Sequence, residues 1–266
     1  RSSQRVSMLG LTLRRLVVAT VACASIGGAT LVHAKVTPPP PPTLLVLGDS
    51  LTWGTNYRGF GNVTPKLKAV GYFNTIVVDG VFARNISGPA GTSRNAVKTM
   101  KKLSTSGLRP NAAIIGLGSN DLQHSADPAF YAKRIRELLD LVGDIPIVWF
   151  NVWRTDAPYY PKRSATFNAT LIEVVADYPN VTIADWASIV TANPKLMAFD
   201  GLHLQPVGYR LRAQMYVEAA QLMIGVLNPP PTTIPETTTT TVPATTTTTT
   251  IAPTTTVVES STTVAG

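Results

Sequence analysis

The sequence has little cysteine or histidine, and this scarcity limits the chemistry that the chain can perform. Of 266 residues, one is cysteine and three are histidine. The cysteine, Cys23, lies in a segment interpreted below as an export signal, so the mature chain has no thiol for disulfides, a Cys-ligated metal or a cysteine nucleophile. The mature chain keeps only His124 and His203, so a catalytic imidazole must be one of these two.

Charged residues are also sparse, at 14% of the chain, with a formal net charge of +8. Residues 1–34 contain four arginines and no acid, so a chain starting at Lys35 carries +4. Proteins that bind nucleic acid concentrate much stronger basic surfaces than this. We therefore expect no nucleic-acid partner.

Residues 1–34 have the pattern of a secretory signal peptide. Two arginines at 14–15 precede an almost unbroken run of apolar or small residues over 16–32, and the sequence VHA at 32–34 resembles a small-x-small cleavage site. The run is just long enough to span a bilayer, so an uncleaved anchor is the alternative. The pattern predicts a secreted or envelope-associated protein with bacterial-type export.

Two low-complexity segments flank the part of the chain that can form a core. Residues 35–42 are rich in proline and predict a stiff polyproline II spacer. Residues 229–266 are mainly threonine and proline without apolar periodicity, which predicts a disordered tail. The tail resembles O-glycosylated stalks and suggests association with a cell wall, and an unmodified linker is the alternative. One folded domain is thus predicted over residues 43–228.

Within this domain, short runs rich in Val and Ile alternate with longer amphipathic stretches. The runs predict five buried strands: Thr43–Leu47, Thr75–Val78, Ala112–Leu117, Ile145–Phe150 and Val181–Ala184. The stretches predict helices over Pro65–Val70, Ser93–Leu103, Asp127–Val142, Lys162–Tyr178 and Pro206–Leu227. The alternation indicates a three-layer α/β/α sandwich with a five-stranded, mostly parallel sheet. Because such sheets bind ligands beyond the carboxyl ends of their strands, we expect the chemistry there.

Three polar motifs occupy such positions. Ser50 follows the first strand in a glycine-containing turn that can present its hydroxyl at the sheet edge. Asn120 follows the third strand, where its amide can donate a hydrogen bond toward the first, as an oxyanion hole requires. Asp200 lies three residues before His203, a spacing at which a carboxylate can orient an imidazole toward a serine. Taken singly, the first two motifs are also compatible with ordinary turns and caps.

Taken together, these motifs resemble blocks I, III and V of the GDSL/SGNH hydrolase family. GDSLT at 48–52, GSND at 118–121 and DGLH at 200–203 occur in the family's order, and the resemblance extends over about residues 43–226. The resemblance implies an SGNH/flavodoxin-like fold and hydrolysis of carboxylic esters, and it implies no cofactor and no metal.

The resemblance also implies a role for each matching residue. Ser50 would be the nucleophile, and its backbone N–H would be one oxyanion donor. Asn120 would be another oxyanion donor. His203 would act as general base and acid, with Asp200 as its orienting partner.

Block II departs from the family pattern. The family places a glycine N–H in the oxyanion hole, and a subgroup has glycine followed by arginine where Ala83 and Arg84 stand here. We expect the Ala83 N–H to replace that donor, with Gly88 as the fallback. Arg84 is either a pocket residue that favours an acidic or sugar-bearing substrate or a surface arginine.

Two tryptophans are further candidates for lining the substrate site. Trp53 follows the nucleophile, and Trp153 follows the fourth strand on the same edge, although core packing is an alternative for Trp153. The expected substrate is an acyl lipid or an acylated glycan of the cell envelope. Acyl transfer by the same triad and a catalytically weak binding module are the competing functions.

Overall fold

The computed structural model describes residues 42–229. The predicted signal peptide lies outside these residues, as do all but one residue of the predicted spacer and all but one of the predicted tail. No helix within 42–229 combines the length and apolar character needed to cross a membrane.

Within residues 42–229, five parallel strands form one sheet in the order β2-β1-β3-β4-β5. Their bounds are β1 (Thr43–Gly48), β2 (Thr75–Gly80), β3 (Ala112–Gly116), β4 (Ile147–Phe150) and β5 (Val181–Ala184). The chain passes from β1 to one side and then crosses back to pair β3 on the other side. The carboxyl end of β1 is therefore the topological switch point, where open α/β sheets bind ligands.

In this described part of the chain, seven α-helices connect and cover the strands. They are α1 (Ser50–Asn56), α2 (Val63–Ala69), α3 (Ala96–Thr105), α4 (Pro128–Val142), α5 (Tyr160–Val175), α6 (Trp186–Ala192) and α7 (Pro206–Leu227). The sequence pattern does not predict α1 or α6, because each has only seven residues, about two turns, which is too short to show a helical period. Asp127 caps α4 through a hydrogen bond from the Ala129 N–H, with Pro128 in the first turn.

Two apolar layers cover the two faces of the sheet. In β1, Leu45 and Leu47 point into a core shared with α3, α4 and α5. Leu44 and Val46 point into the opposite core, which contains side chains of α1, α2, α6 and α7. This alternation is the two-residue period of a strand that is buried on both faces. The predicted three-layer α/β/α sandwich is confirmed.

Candidate active site

Ser50 lies at the carboxyl end of β1, as the first residue of α1. The preceding residue, Asp49, is the N-cap of α1, and its Oδ1 accepts a 2.9 Å hydrogen bond from the Leu51 N–H. Gly48 is required in this turn, since a Cβ there would lie 1.9 Å from Thr52 Oγ1. The cap and the glycine together fix the sharp path that brings the serine hydroxyl to the sheet edge.

The side chains of Ser50, His203 and Asp200 form a hydrogen-bonded chain. His203 Nε2 lies 3.0 Å from Ser50 Oγ, and His203 Nδ1 lies 2.7 Å from Asp200 Oδ2. An ionised carboxylate can only accept, so Nδ1 carries the proton and Nε2 accepts from the serine hydroxyl. Both distances are within the reach needed for general base catalysis.

Main-chain hydrogen bonds shape the loop that carries this pair. Asp200 Oδ1 accepts from the N–H groups of Leu202 and His203, at 3.0 and 2.8 Å. Partial burial raises the pKa of the Asp200 carboxyl, but the hydrogen bonds from the His203 ring and these two N–H groups hold it below its usual range. Asp200 is therefore ionised at neutral pH, the state that orients and stabilises a protonated imidazole.

The loop is also tied to the segment after β4. The Thr155 N–H donates to the Gly201 carbonyl at 2.8 Å. Gly201 has φ +70°, and a Cβ there would approach the Asp156 nitrogen to 2.8 Å. This close contact places the Asp200–His203 loop beside the end of the sheet where Ser50 lies.

Asn120 is buried on the other side of the serine turn. Its Nδ2 donates to the Arg84 carbonyl at 3.0 Å and approaches Asp49 Oδ2 at 3.3 Å. The amide thus joins the loop after β3 to the loops after β1 and β2. In this position it lies beside the nucleophile turn, as an oxyanion donor requires.

Asp49 and Arg212 are two charged residues of this region that the sequence analysis did not identify. Burial raises the pKa of the Asp49 carboxyl, while the Leu51 N–H and the positive charge of Arg212 oppose that rise. The Arg212 guanidinium is itself buried, 4.8 Å from the Phe150 ring centroid and 4.9 Å from that of Trp186. The N-cap position of Asp49 was the available signal, whereas nothing in the sequence marks Arg212 as a neighbour.

Ala83 adopts a left-handed conformation with φ +54° in the loop after β2. Within residues 42–229 its N–H has no hydrogen-bond partner in the protein, so it can donate to a ligand. Gly88 lies instead against α4, where a Cβ would be 2.8 Å from Arg134 Nη2. Ala83 therefore stays the predicted block II donor, with Gly88 as the fallback.

Arg84 lines a cavity of about 420 Å³ with Asp79 and Ser93, so its role in a substrate pocket stays a prediction. The alternative, a surface arginine, is wrong, because the Arg84 side chain is buried and only 1% exposed. Its guanidinium donates to the carbonyls of Gly48, Asp79 and Ser93 at 3.1, 2.7 and 2.7 Å, and to Asp79 Oδ1 at 2.8 Å. Arg84 therefore ties the ends of β1 and β2 to the turn before α3.

The two candidate tryptophans lie on opposite sides of the site. Trp53 is exposed and stacks on Tyr57, with ring centroids 5.0 Å apart. Trp153 is half-buried against the core beneath α7, and it also lines a cavity of about 410 Å³ together with Met197 and Phe199. Trp153 thus combines core packing with a position beside the Asp200–His203 loop.

Arg154 is a further residue that the sequence analysis did not assign. It is buried, forms an ion pair with Asp156 and donates from Nη1 to the Ser119 carbonyl at 2.9 Å. This bond ties the loop after β4 to the loop that carries Asn120. Among residues 42–229, no group of three potential metal ligands is present.

Known proteins share both the sequence pattern and the fold. Residues 46–211 match the GDSL-like lipase/acylhydrolase family. A lipase/acylhydrolase from Enterococcus faecalis has a similar structure, with a TM-score of 0.53 and 20% identity, covering 66% of this chain and 94% of that one. No curated protein matches the chain by sequence.

Two other solved structures are similar in fold. A carbohydrate acetylesterase from Sinorhizobium meliloti has a TM-score of 0.54 at 18% identity, covering 68% of this chain and 99% of that chain. The C-terminal catalytic domain of peptidoglycan O-acetyltransferase A from Streptococcus pneumoniae has a TM-score of 0.52 at 18% identity, with coverages of 69% and 94%. The family match extends over most of the described domain, and the chain belongs to the GDSL-like lipase/acylhydrolase family of SGNH hydrolases.

Proposed function

We propose that this protein is an exported serine hydrolase that removes acetyl or acyl groups from esters on envelope glycans or lipids. The observation that carries the proposal is the hydrogen-bonded chain from Ser50 through His203 to Asp200. Family membership supports ester chemistry. Export rests on the signal pattern of residues 1–34.

The first half-reaction forms an acyl-enzyme. Ser50 Oγ attacks the ester carbonyl carbon while its proton passes to His203 Nε2. Asp200 stabilises the imidazolium that results, without taking the proton itself. The Ser50 and Ala83 N–H groups and the Asn120 amide donate to the oxyanion. When the tetrahedral intermediate collapses, the C–O bond to the alcohol breaks and Nε2–H protonates the departing oxygen.

The second half-reaction releases the acid. A water molecule gives a proton to His203 Nε2 and attacks the acyl carbon, and the same donors hold the new oxyanion. The bond from carbon to Ser50 Oγ then breaks, and Nε2–H returns the proton to the serine. To reach the oxyanion, the Asn120 amide must give up one of its two resting contacts, and the longer contact, to Asp49, is the weaker.

A panel of p-nitrophenyl esters from acetate to palmitate tests the proposal. The full chain should hydrolyse at least one of them, and Ser50→Ala and His203→Ala should each abolish that activity. The chain length with the highest kcat/KM then indicates acetyl or longer acyl groups. A folded protein that is inactive on every ester, or activity that survives Ser50→Ala, would contradict the proposal, and inactivity would favour a binding role.

Acyl transfer to a sugar hydroxyl is the second candidate. It is favoured by the similarity to the O-acetyltransferase domain and by the exposure of the His203 side chain, which leaves room for an alcohol acceptor. Mass spectrometry of the products in the presence of an added glycan separates the two functions. Free acid alone indicates hydrolysis, whereas acylated glycan indicates transfer.

A further inference from the structure

Three exposed aromatic rings lie together on one flank of the nucleophile. The rings of Trp53, Tyr57 and Phe82, here called the aromatic shelf, are 37%, 48% and 50% exposed. Trp53 contacts both of the others, with a centroid distance of 5.0 Å to Tyr57 at an interplanar angle of 12° and of 4.8 Å to Phe82. Three adjoining rings that remain half-exposed form an apolar patch of the kind that marks a binding surface.

The aromatic shelf is formed by α1 and the loop after β2, and each of these two segments also carries a catalytic group. Trp53 lies three residues after Ser50 in α1, about 4.5 Å along the helix axis. Phe82 directly precedes Ala83, the proposed oxyanion donor. The two elements are packed tightly, since a Cβ on Gly80 would lie 2.4 Å from the Trp53 nitrogen. The aromatic shelf is therefore close in the fold to the segments that carry Ser50 and the proposed Ala83 donor.

Polar groups accompany the rings. Trp53 and Tyr57 line a cavity of about 280 Å³ together with Asn56, Arg58, Val78 and Gly80. This volume is slightly below the usual range of ligand pockets, about 300–1,000 Å³, and suits a single ring more than a long chain. Arg58 is exposed in this wall and presents guanidinium donors that can bond to hydroxyl or carboxylate oxygens.

A sugar ring can contact both the aromatic rings and the polar groups of this surface. The C–H groups on one face of a pyranose are weakly positive and can pack on the negative face of an aromatic ring. Its hydroxyls point outward, where they meet the donors of the wall.

We infer that the aromatic shelf is a sugar-binding subsite that holds a pyranose ring of an O-acylated glycan while Ser50 attacks the ester. This inference rests on the proposed function and narrows it from glycans or lipids to glycans. The shelf does not depend on the catalytic chemistry, so binding can be measured separately from hydrolysis.

The binding experiment uses the full chain with Ser50→Ala, which cannot turn over an ester. Tryptophan fluorescence is titrated with chitopentaose, xylopentaose and mannopentaose. Trp149 and Trp186 are buried, so a change in fluorescence reports on Trp53 and Trp153. We expect saturable binding of at least one oligosaccharide, and at least tenfold weaker binding when Phe82→Ala is added. Absence of saturable binding, or binding that Phe82→Ala leaves unchanged, would overturn the inference.

A kinetic experiment checks that the shelf serves the reaction. The measured quantity is kcat/KM for an acetylated oligosaccharide divided by kcat/KM for p-nitrophenyl acetate. Phe82→Ala and Trp53→Ala should each lower this ratio at least fivefold, and Trp53→Phe should restore most of it. An equal loss on both substrates, or a loss confined to longer p-nitrophenyl acyl esters, would contradict a sugar subsite.

Ile172→Ala is the matched control for both experiments. Ile172 is an exposed apolar residue near the end of α5, at the sheet edge opposite the site, so its removal should change neither the ratio nor the binding. The two proposals fail in distinguishable ways. Sugar binding without ester hydrolysis would contradict the esterase proposal and support the sugar subsite. Ester hydrolysis that shelf substitutions leave unchanged would support the esterase proposal and contradict the subsite.

Discussion

The two sides of Ser50 hold their functional groups in different ways. On one side, the side chains of His203 and Asp200 are 38% and 40% exposed, on a loop positioned by main-chain hydrogen bonds. On the other side, Asn120, Asp49 and Arg84 are all at least nine-tenths buried, and hydrogen bonds join them to one another or to the strand ends.

Because of this difference, substitutions on the two sides of Ser50 should affect catalysis and stability to different extents. The exposed pair contributes little packing, so removing its chemistry should leave the fold intact. The buried side stabilises the sheet edge as well as the oxyanion, so changes there should affect both properties. Four substitutions test this division between the exposed and the buried side.

The largest effect is expected from His203→Ala. Loss of the general base should lower kcat by roughly 10⁶, the loss seen when a triad histidine or serine is removed. The Tm should stay within about 2 °C of the parent, because the ring is partly exposed and the loop keeps its main-chain bonds. Steady-state kinetics and thermal unfolding measure the two quantities. His124→Ala, which removes the other exposed histidine, is the control and should change neither.

Asn120→Ala should affect both properties. Loss of an oxyanion donor should lower kcat by about 10²–10³ with little change in KM. The free energy of unfolding should fall by about 1–3 kcal/mol, since the buried Arg84 carbonyl loses a hydrogen bond. Urea unfolding beside kinetics provides the check. A variant with lower kcat and unchanged stability would show that Asn120, like His203, contributes to catalysis without stabilising the fold.

The pH dependence of stability tests the buried side through Asp121, the buried neighbour of Asn120 whose carboxylate accepts a hydrogen bond from the Ile86 N–H. Burial raises the pKa of this carboxyl to about 6, although a hydrogen bond from Arg134 opposes the rise. In the unfolded chain the carboxyl pKa is near 4, so between pH 4 and 6 the folded state binds its proton more tightly and stability falls as pH rises.

The Asp121→Asn variant has no titrating group at this position. Comparing it with the parent therefore isolates the contribution of the Asp121 carboxyl to the pH dependence of stability. Between pH 4 and 7, the unfolding free energy of the variant minus that of the parent should increase by roughly 2–3 kcal/mol. Urea unfolding at several pH values measures the difference. A difference that stays constant with pH would mean that Arg134 keeps Asp121 ionised throughout.

The smallest effect is expected from Ala83→Gly. A non-glycine residue at φ +54° costs about 1 kcal/mol, and the greater chain entropy of glycine offsets part of the gain. Stability should therefore rise by roughly 0.5 kcal/mol or less, and kcat should be retained because glycine keeps the N–H donor. Ala83→Val, which adds a β-branched side chain in the same conformation, should be less stable than the parent. A Gly variant clearly less stable than the parent would show that the loop is not strained.

Most of the fold could be predicted from apolar periodicity. Every strand is present within two residues of its predicted ends, and α7 has the predicted bounds, because a long helix repeats its pattern many times. The short helix α1 could not be predicted in this way. It forms because Asp49 caps it and because its buried face packs against β2 and α7, contacts that exist only in the folded chain.

Some residues of the site could be predicted from the sequence, and others could not. The closeness of Asp200 and His203 follows from their spacing, and their position near Ser50 follows from the sheet edge. Arg84 could not be placed, because its burial depends on three segments that enclose it after folding. The aromatic shelf could not be predicted for the same reason, because Trp53 and Phe82 are distant in sequence and meet only when α1 packs against β2.

If Ser50 is a nucleophile activated by His203, a serine-reactive phosphonate should label it in the folded full chain. Peptide mass spectrometry locates the adduct. We predict one adduct per chain, on Ser50, with labelling at least a hundredfold slower in His203→Ala. No adduct on Ser50, or equally fast labelling in His203→Ala, would contradict the claim.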